Sequence, residues 1–389
     1  MAELAHHFLF GESALSTRVV ISQEYPRKFT SPAGRILVLA KKSLGGVFIF
    51  CESIARDSAN VDVFYYAEGN ITGFDAAANV FRINRFDPLV YVYRCLRRQI
   101  RFHQYDVLVA NEGFELAFLA WAAPVQAICF VVHVNHRHSY EPAIRFADTV
   151  DRFYCVSDTG AVYLRARGIR HVTTFRYSTF IPREPDVPKK RKVVYVGRFV
   201  ADKNIEETIS LLKFLQKANY EVCMIGGGNL EARVREAFPG ESCLVGATRE
   251  RIYQELAEAS FLCHNSYVEG LPIIHTEAIH FRLGIICNYV DKSIYEVTGE
   301  NVILWSDREN LLRRMESFVF QLPPAPARIN NPELNRLFRQ EVAKLAGREL
   351  RRGRISPTKL LDRLVCCPAR VIRAIRELRW RLGGRQRHQ

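Results

Sequence analysis

The stretch SYVEGLPIIHTEAIHF, residues 266 to 281, sets two carboxylates, Glu269 and Glu277, eight positions apart around Gly270, Leu271 and Pro272. Gly270 and Pro272 suit a loop running into a helix, with Pro272 in the first turn, where a missing N–H costs nothing. Glu269 then precedes the helix and Glu277 lies about two turns inside it. If both were helical, the spacing would hold them ~12 Å apart along the axis, beyond the ~5 to 9.5 Å of a hydrolytic carboxylate pair. The pattern therefore predicts a division of labour. Amides near 270 to 273 face an anion, while each ionised carboxylate accepts hydroxyl hydrogens on one side of it. A nucleotide sugar has that layout of sugar hydroxyls, diphosphate and ribose diol. Composition alone favours two solvated glutamates on an amphipathic helix.

Three further stretches carry groups suited to an anion. VGRFVADKN (196 to 204) brings Arg198 and Lys203 out of a predicted strand. Arg grips phosphate oxygens bidentately and Lys acts as a point charge, so the pair can offset a diphosphate; two ordinary surface cations are the plainer reading. KKSLGGVFIF (41 to 50) ends a strand at Ser43, Gly45 and Gly46 and opens a helix. Glycines there let backbone amides approach a phosphate or sugar, or simply make a tight turn. IGGGNLEARV (225 to 234) repeats the arrangement with Gly226, Gly227 and Gly228 but lacks GxGxxG spacing.

These stretches are spaced by an alternation of short β-branched or aromatic runs with helical ones, the signature of parallel α/β architecture. Predicted strands are 35–42, 61–67, 79–84, 106–111, 125–133, 151–157 and 171–177, then 193–197, 220–226, 242–246, 260–266, 284–288 and 301–305. Between the two sets IPREPDVPKKRK (181 to 192) packs three prolines into seven residues and ends in four cations, which neither helix nor sheet interior tolerates. PKKRKV resembles a nuclear-import signal; a solvated linker explains it as well. The predicted organisation is an extension (1–34), a first Rossmann-like domain (35–180), a linker (181–192), a second Rossmann-like domain (193–347) and a basic helical tail (348–389). Two doubly wound domains place a ligand cleft between the carboxyl ends of their sheets.

The chain has 389 residues, 48% of them hydrophobic, and a net charge of +14. That charge is concentrated: the last 42 residues hold thirteen cations against three carboxylates, a net +10. The remainder is too nearly neutral for a nucleic-acid-binding core. Ten scattered cysteines without a CxxC predict free thiols rather than a disulfide or zinc framework. The amino terminus has an acid and histidines where a signal peptide carries cations, and no run spans a bilayer, so a cytoplasmic protein is expected.

Taken in order, VVYVGRFVADKN, IGGGN, SCLVG and SYVEGLPIIHTEAIHF resemble the carboxyl-terminal domain of glycosyltransferase family 4, the retaining enzymes of the GT-B fold. KKSLGGVFIF, FVVHVNH and DRFYCVS extend the likeness more loosely through 35–177. The resemblance implies a metal-independent transfer of a hexose-type sugar from a nucleotide-diphosphate donor, with no other cofactor, to a lipid-linked or cell-surface glycan such as lipopolysaccharide. It implies that Arg198 and Lys203 hold the diphosphate, Glu269 contacts the transferred sugar and Glu277 the ribose. Gly45 and Gly46 would lie under the diphosphate and acceptor, with Gly228, Gly270, Leu271 and Pro272 completing the donor site. His133 matches a histidine that contacts the donor sugar, unless it is a core histidine bonded to backbone; His136 and His138 are its neighbours in a shifted alignment. The chain departs from the family at YSTFIP (177 to 182), at Asn204, where glycine is usual, and at Gly227, where an acid is common.

In the tail, Val371, Ile375, Leu378 and Leu382 form one apolar stripe among arginines. Such a helix suits an anionic membrane surface, the inner face of the cell membrane for a peripheral protein, or packs on the body, or meets nucleic acid. Two other functions fit parts of the pattern: a methyltransferase or dehydrogenase seating an adenine cofactor at IGGGN, and a non-catalytic membrane scaffold.

Overall fold

A computed structural model describes residues 34–346 apart from 43–44, 57, 123–125, 179–186, 268, 289–294, 296, 306 and 323–331. The amino-terminal extension, Ser43, most of the proline-rich linker and the basic tail lie outside the described residues.

The first sheet has the order β3-β4-β2-β1-β5-β6-β7-β8. Its strands are β1 (Ile36–Lys41), β2 (Val61–Gly69), β3 (Gly73–Asp75), β4 (Val80–Asn84), β5 (Val107–Ala110), β6 (Ala127–Val132), β7 (Arg152–Cys155) and β8 (Val172–Thr174). All pairings are parallel except β3 with β4. β3 was not predicted, because three residues including a glycine carry no strand period. The helices are α1 (Gly46–Ala55), α2 (Leu89–Gln99), α3 (Gly113–Ala122), α4 (Arg137–Arg145) and α5 (Asp158–Ala166). Strands such as AICFVV in β6 are buried at every position, as expected when helices cover both faces of a parallel sheet.

The second sheet is entirely parallel, in the order β11-β10-β9-β12-β13-β14. It comprises β9 (Lys192–Arg198), β10 (Glu221–Gly227), β11 (Cys243–Val245), β12 (Phe261–Cys263), β13 (Gly284–Cys287) and β14 (Val302–Leu304). Around it lie α6 (Ile205–Lys217), α7 (Glu231–Ala237), α8 (Arg249–Glu258), α9 (Ile273–His280) and α10 (Arg308–Glu316). Each sheet thus has a core on both faces. Strand order reverses at β1/β5 in one sheet and at β9/β12 in the other, the points where open α/β sheets leave a crevice.

Two local findings depart from the sequence reading. Lys192, expected as the last cation of a solvated linker, is the first residue of β9, with its ammonium buried 2.8 Å from both Glu221 and Glu255. A buried cation needs such partners, and the two glutamates come from distant segments. The last described helix, α11 (Pro332–Ala343), falls in the stretch assigned to the second domain, yet packs on the first. Phe338, Val342 and Leu345 join the core beneath α1, Phe338 stacks on Phe175, and Asn335 bonds the carbonyls of Ser53 and Ser178. The eight described cysteines are thiols, none of them joined in a disulfide.

Candidate active site at the domain interface

The carboxyl ends of the two sheets meet through backbone. Val134, two residues past β6, forms an isolated bridge with Gly270, and the Asn135 amide reaches the Glu269 carbonyl at 3.4 Å. A Cβ on Gly270 would lie 2.1 Å from the His133 carbonyl oxygen, and one on Gly46 3.3 Å from Ile273 at the start of α9. Gly270 is therefore required where the second domain's loop crosses the first. The Gly45–Gly46 turn, His133 and the segment Glu269–Pro272 come together here.

Within the second domain, the loops after β9 and β12 are sewn together. Tyr267 donates its amide to the Asp202 carbonyl, and Ser266 Oγ reaches the same oxygen at 3.4 Å. Lys203 ends a short 3-10 turn, and Asn204 follows it with φ 51° and ψ 47°. This left-handed geometry explains the departure from glycine, since Asn tolerates it best among other residues. The turn delivers Lys203 to Glu269 Oε1 as an ion pair, with Ser266 Oγ 3.3 Å from its ammonium. Two residues expected to serve separate parts of a donor are thus each other's partners.

Glu269 Oε1 also lies 3.2 Å from His264 Nε2, and His264 Nδ1 lies 2.9 Å from His275 Nε2. His264 Nε2 is placed to donate to the carboxylate, and the His264 Nδ1–His275 Nε2 contact links the second ring behind it. Burial holds His275 well below its usual pKa. Burial alone would raise the Glu269 carboxyl, but the bond from His264 and the charge of Lys203 win and hold it well below the usual carboxylate range. Glu269 is ionised at neutral pH, and its second oxygen has no hydrogen-bond partner among the described residues. That oxygen can accept a hydroxyl.

Arg198, at the end of β9, is exposed and lies 3.4 Å from Asp202. Glu277 is placed differently from the expectation. Helix α9 starts at Ile273, with Pro272 as its extended N-cap, so Glu277 sits one turn inside rather than two. It is 3% exposed, and Arg249 of α8 donates to it at 2.7 Å while also reaching the Tyr253 hydroxyl at 2.6 Å.

The triple glycine answers to backbone. A Cβ on Gly226 would lie 1.8 Å from the Gly197 carbonyl, and one on Gly228 2.5 Å from that of Phe199. The Leu230 amide donates to the Phe199 carbonyl, and the Phe199 amide donates to the Gly227 carbonyl across the same turn. Gly226 and Gly228 let the β10 loop seat against the β9 loop that presents Arg198.

On the first-domain side, His133 Nε2 lies 2.9 Å from Asn111 Oδ1, with the ring edge-on to Phe50. Its partner is thus a side chain rather than backbone. Asn111 donates its Nδ2 to the Leu39 carbonyl, so its oxygen accepts and His133 carries the proton on Nε2. Burial pulls His133 down to about 3, leaving it neutral.

Asn111 is in turn fixed by Glu115, buried in the first turn of α3, which accepts from the Asn111 amide at 2.6 Å and from Tyr66 at 2.8 Å. Burial, reinforced by Glu112, pushes the Glu115 carboxyl up to about 8. Between pH ~4.5, the ordinary glutamate value, and about 8, the folded chain keeps a proton that the unfolded chain has released. Stability therefore falls as pH rises through that window. Glu115→Gln should flatten this decline, as read from urea unfolding at pH 5 and 8; an unchanged slope would show that Glu115 does not titrate there.

His264, His275, Arg249, Asn111 and Glu115 were not singled out in the sequence. His264 and His275 flank Glu269 at −5 and +6, a spacing with no helical or strand period. Arg249 and Glu277 meet only because β12 lies between their helices in the chain.

No curated protein sequence matches the chain. Residues 178–319 match the family model Glycosyl transferases group 1, about a third of the chain and nearly all of the second sheet. Among solved structures, Anabaena HepE in complex with UDP and glucose shares 13% identity over 80% of this chain and 94% of its own, with a TM-score of 0.54. WaaG, a glycosyltransferase involved in lipopolysaccharide biosynthesis, shares 14% over 80% of this chain and 99% of its own, at 0.51. TarM and the pneumococcal O-GlcNAc transferase GtfA also match, but the chain spans only about half their length, 51% and 53%. Two parallel-sheet Rossmann-like domains with eleven α-helices among the described residues make up the GT-B fold.

Proposed function

We propose that the protein is a retaining, metal-independent glycosyltransferase of family 4 type. It moves a hexose from a nucleotide-diphosphate donor to a hydroxyl of a lipid-linked or cell-surface glycan, as in lipopolysaccharide assembly. The carrying observation is the Lys203–Glu269–His264 cluster at the β9/β12 switch point, inside the segment that matches the group 1 model and against the His133 and Gly45–Gly46 edge of the first domain. Nucleotide-sugar use is further supported by the UDP bound to HepE.

In this reading the diphosphate lies between the glycine turn and Arg198 with Lys203. As the anomeric C–O bond breaks, its electron pair moves onto the leaving phosphate, and the two cations stabilise the developing charge. The acceptor oxygen bonds to the anomeric carbon from the same face, and its proton passes to the departing phosphate. Arg198 and Lys203 supply the charge compensation that a divalent ion gives other transferases. The free oxygen of Glu269 accepts a sugar hydroxyl, neutral His133, whose Nε2–H is held by Asn111, accepts through Nδ1 on the opposite wall, and Glu277, steadied by Arg249, faces the ribose end.

Screening UDP-, GDP-, ADP- and dTDP-sugars for slow donor hydrolysis tests the reading. One nucleotide class should be cleaved by the wild-type chain. Binding of an adenine cofactor with no nucleotide-sugar turnover would favour the methyltransferase or dehydrogenase alternative and overturn it.

A further inference from the structure

The first domain carries a cationic and apolar surface of its own. Helix α2 buries Val92, Tyr93 and Leu96 against the first domain's core. Its opposite face presents Val90, Arg94, Arg97 and Arg98, at i, i+4, i+7 and i+8, with Arg101 just beyond its end. Residues 85–101 contain five arginines and one acid, Asp87. None of the five guanidinium groups pairs with a carboxylate among the described residues; Arg85 lies over Phe86 and Arg97 over Trp121 instead.

Large apolar side chains stand beside this charge. Phe86 is 60% exposed, Val90 52% and Tyr91 50%. Ile71, 73% exposed, lies in the β2–β3 turn, which Asn84 ties to the start of this segment through bonds to Asn70 and Thr72. Single exposed hydrophobics are ordinary, but a contiguous group with a polar rim marks an interaction site. The mixture also narrows the partner. Folded proteins offer carboxylates or apolar pockets in fixed places, whereas an anionic lipid surface offers diffuse negative charge over an apolar layer, matching arginines interleaved with Phe, Val, Tyr and Ile.

We infer that the α2 edge, from Ile71 and Phe86 through Arg101, docks the protein on an anionic phospholipid surface. The apolar group enters the headgroup boundary, and the arginines meet phosphates while their stems lie along it. The position of the patch suits the reaction. β2 and β4 run parallel to β1, with Gly69 beside Asn84, so Phe86 leaves the same end of the sheet as Gly45. At ~4.8 Å per strand β4 lies roughly 10 Å to the side of β1, and its end reaches three residues further, roughly 10 Å more along the strand direction. Docking there brings the first domain's side of the cleft to the lipid surface, which rests on the proposed lipid-linked acceptor; the docking itself does not.

The test is flotation of the full chain with vesicles of phosphatidylcholine alone or mixed with phosphatidylglycerol, so no donor or acceptor is involved. The wild-type chain should float with the anionic vesicles at 0.1 M salt and be released at 0.5 M. Arg94→Gln/Arg98→Gln/Arg101→Gln should lower partitioning on the order of a hundredfold, and Phe86→Ser/Val90→Ser/Tyr91→Ser about tenfold or more. Both sets alter exposed positions outside the donor site and should leave donor hydrolysis unchanged. Equal flotation of either variant, as when the basic tail alone carries attachment, overturns the proposal. So does wild-type binding to acidic protein or nucleic acid without binding to vesicles.

Discussion

Lys203→Ala is expected to slow sugar transfer by on the order of 10² or more, a loss comparable to removing a preorganised donor from a developing anion. The structure makes this residue doubly placed. Its ammonium is the cation paired with Glu269, whose side chain is 14% exposed, and it stands on the turn that leads from Arg198. When a diphosphate arrives, Lys203 can turn to the phosphate because His264 still donates to Glu269. Lys203→Ala therefore removes charge from the leaving group and leaves the carboxylate with His264 as its one described side-chain partner. kcat should fall more than KM rises. Arg198→Ala should share the catalytic loss but not the disturbance of Glu269, because Arg198 is 60% exposed and touches Asp202 instead. Steady-state kinetics of both variants check this, and wild-type turnover by Lys203→Ala would contradict the assignment.

The second large effect is on stability. Arg249→Ala would strand the Glu277 carboxylate, 3% exposed, without the guanidinium 2.7 Å away. Removing one partner of a buried pair costs ~3–5 kcal/mol. Arg249 is itself 37% exposed, and water entering in its place offsets part of that, so about 3 kcal/mol is expected. Burial already pushes the Glu277 carboxyl upward against the pull of Arg249. Without Arg249 the group should hold its proton to still higher pH, so the cost grows as pH rises. Arg249→Ala/Glu277→Gln should recover much of the loss, as read from denaturant midpoints at pH 5 and 8. A single variant as stable as the wild type would mean that the pair carries no such energy.

The two sheets were legible because parallel strands are short, buried on both faces and rich in β-branched residues. VVYVG and AICFVV announce themselves by composition alone. That Arg198, Lys203 and Glu269 all lie at the carboxyl ends of strands in one sheet was legible because each follows its strand at a glycine- or proline-marked turn. Pairing was not. That Lys203 meets Glu269, or Lys192 meets Glu221 and Glu255, depends on strand order and rotamers, which a linear pattern does not encode. The histidines behind Glu269 were hidden for the same reason: His264 and His275 lie eleven residues apart, on a strand end and a helix. The glycines of IGGGN showed that backbone comes close there, but only the fold shows that its neighbours are Gly197 and Phe199. Helix α11 was assigned to the wrong neighbour because its apolar spacing tells that one face is buried, not against which domain.

The most direct measurement is a crystal structure of the chain with a non-hydrolysable analogue of whichever nucleotide sugar it cleaves. The diphosphate should lie within hydrogen-bond reach of Arg198 and Lys203 and beneath the Gly45–Gly46 turn, with the sugar against Glu269 and the ribose toward Glu277. A diphosphate bound elsewhere, with Lys203 and Glu269 still paired as in the unliganded chain, would contradict the account.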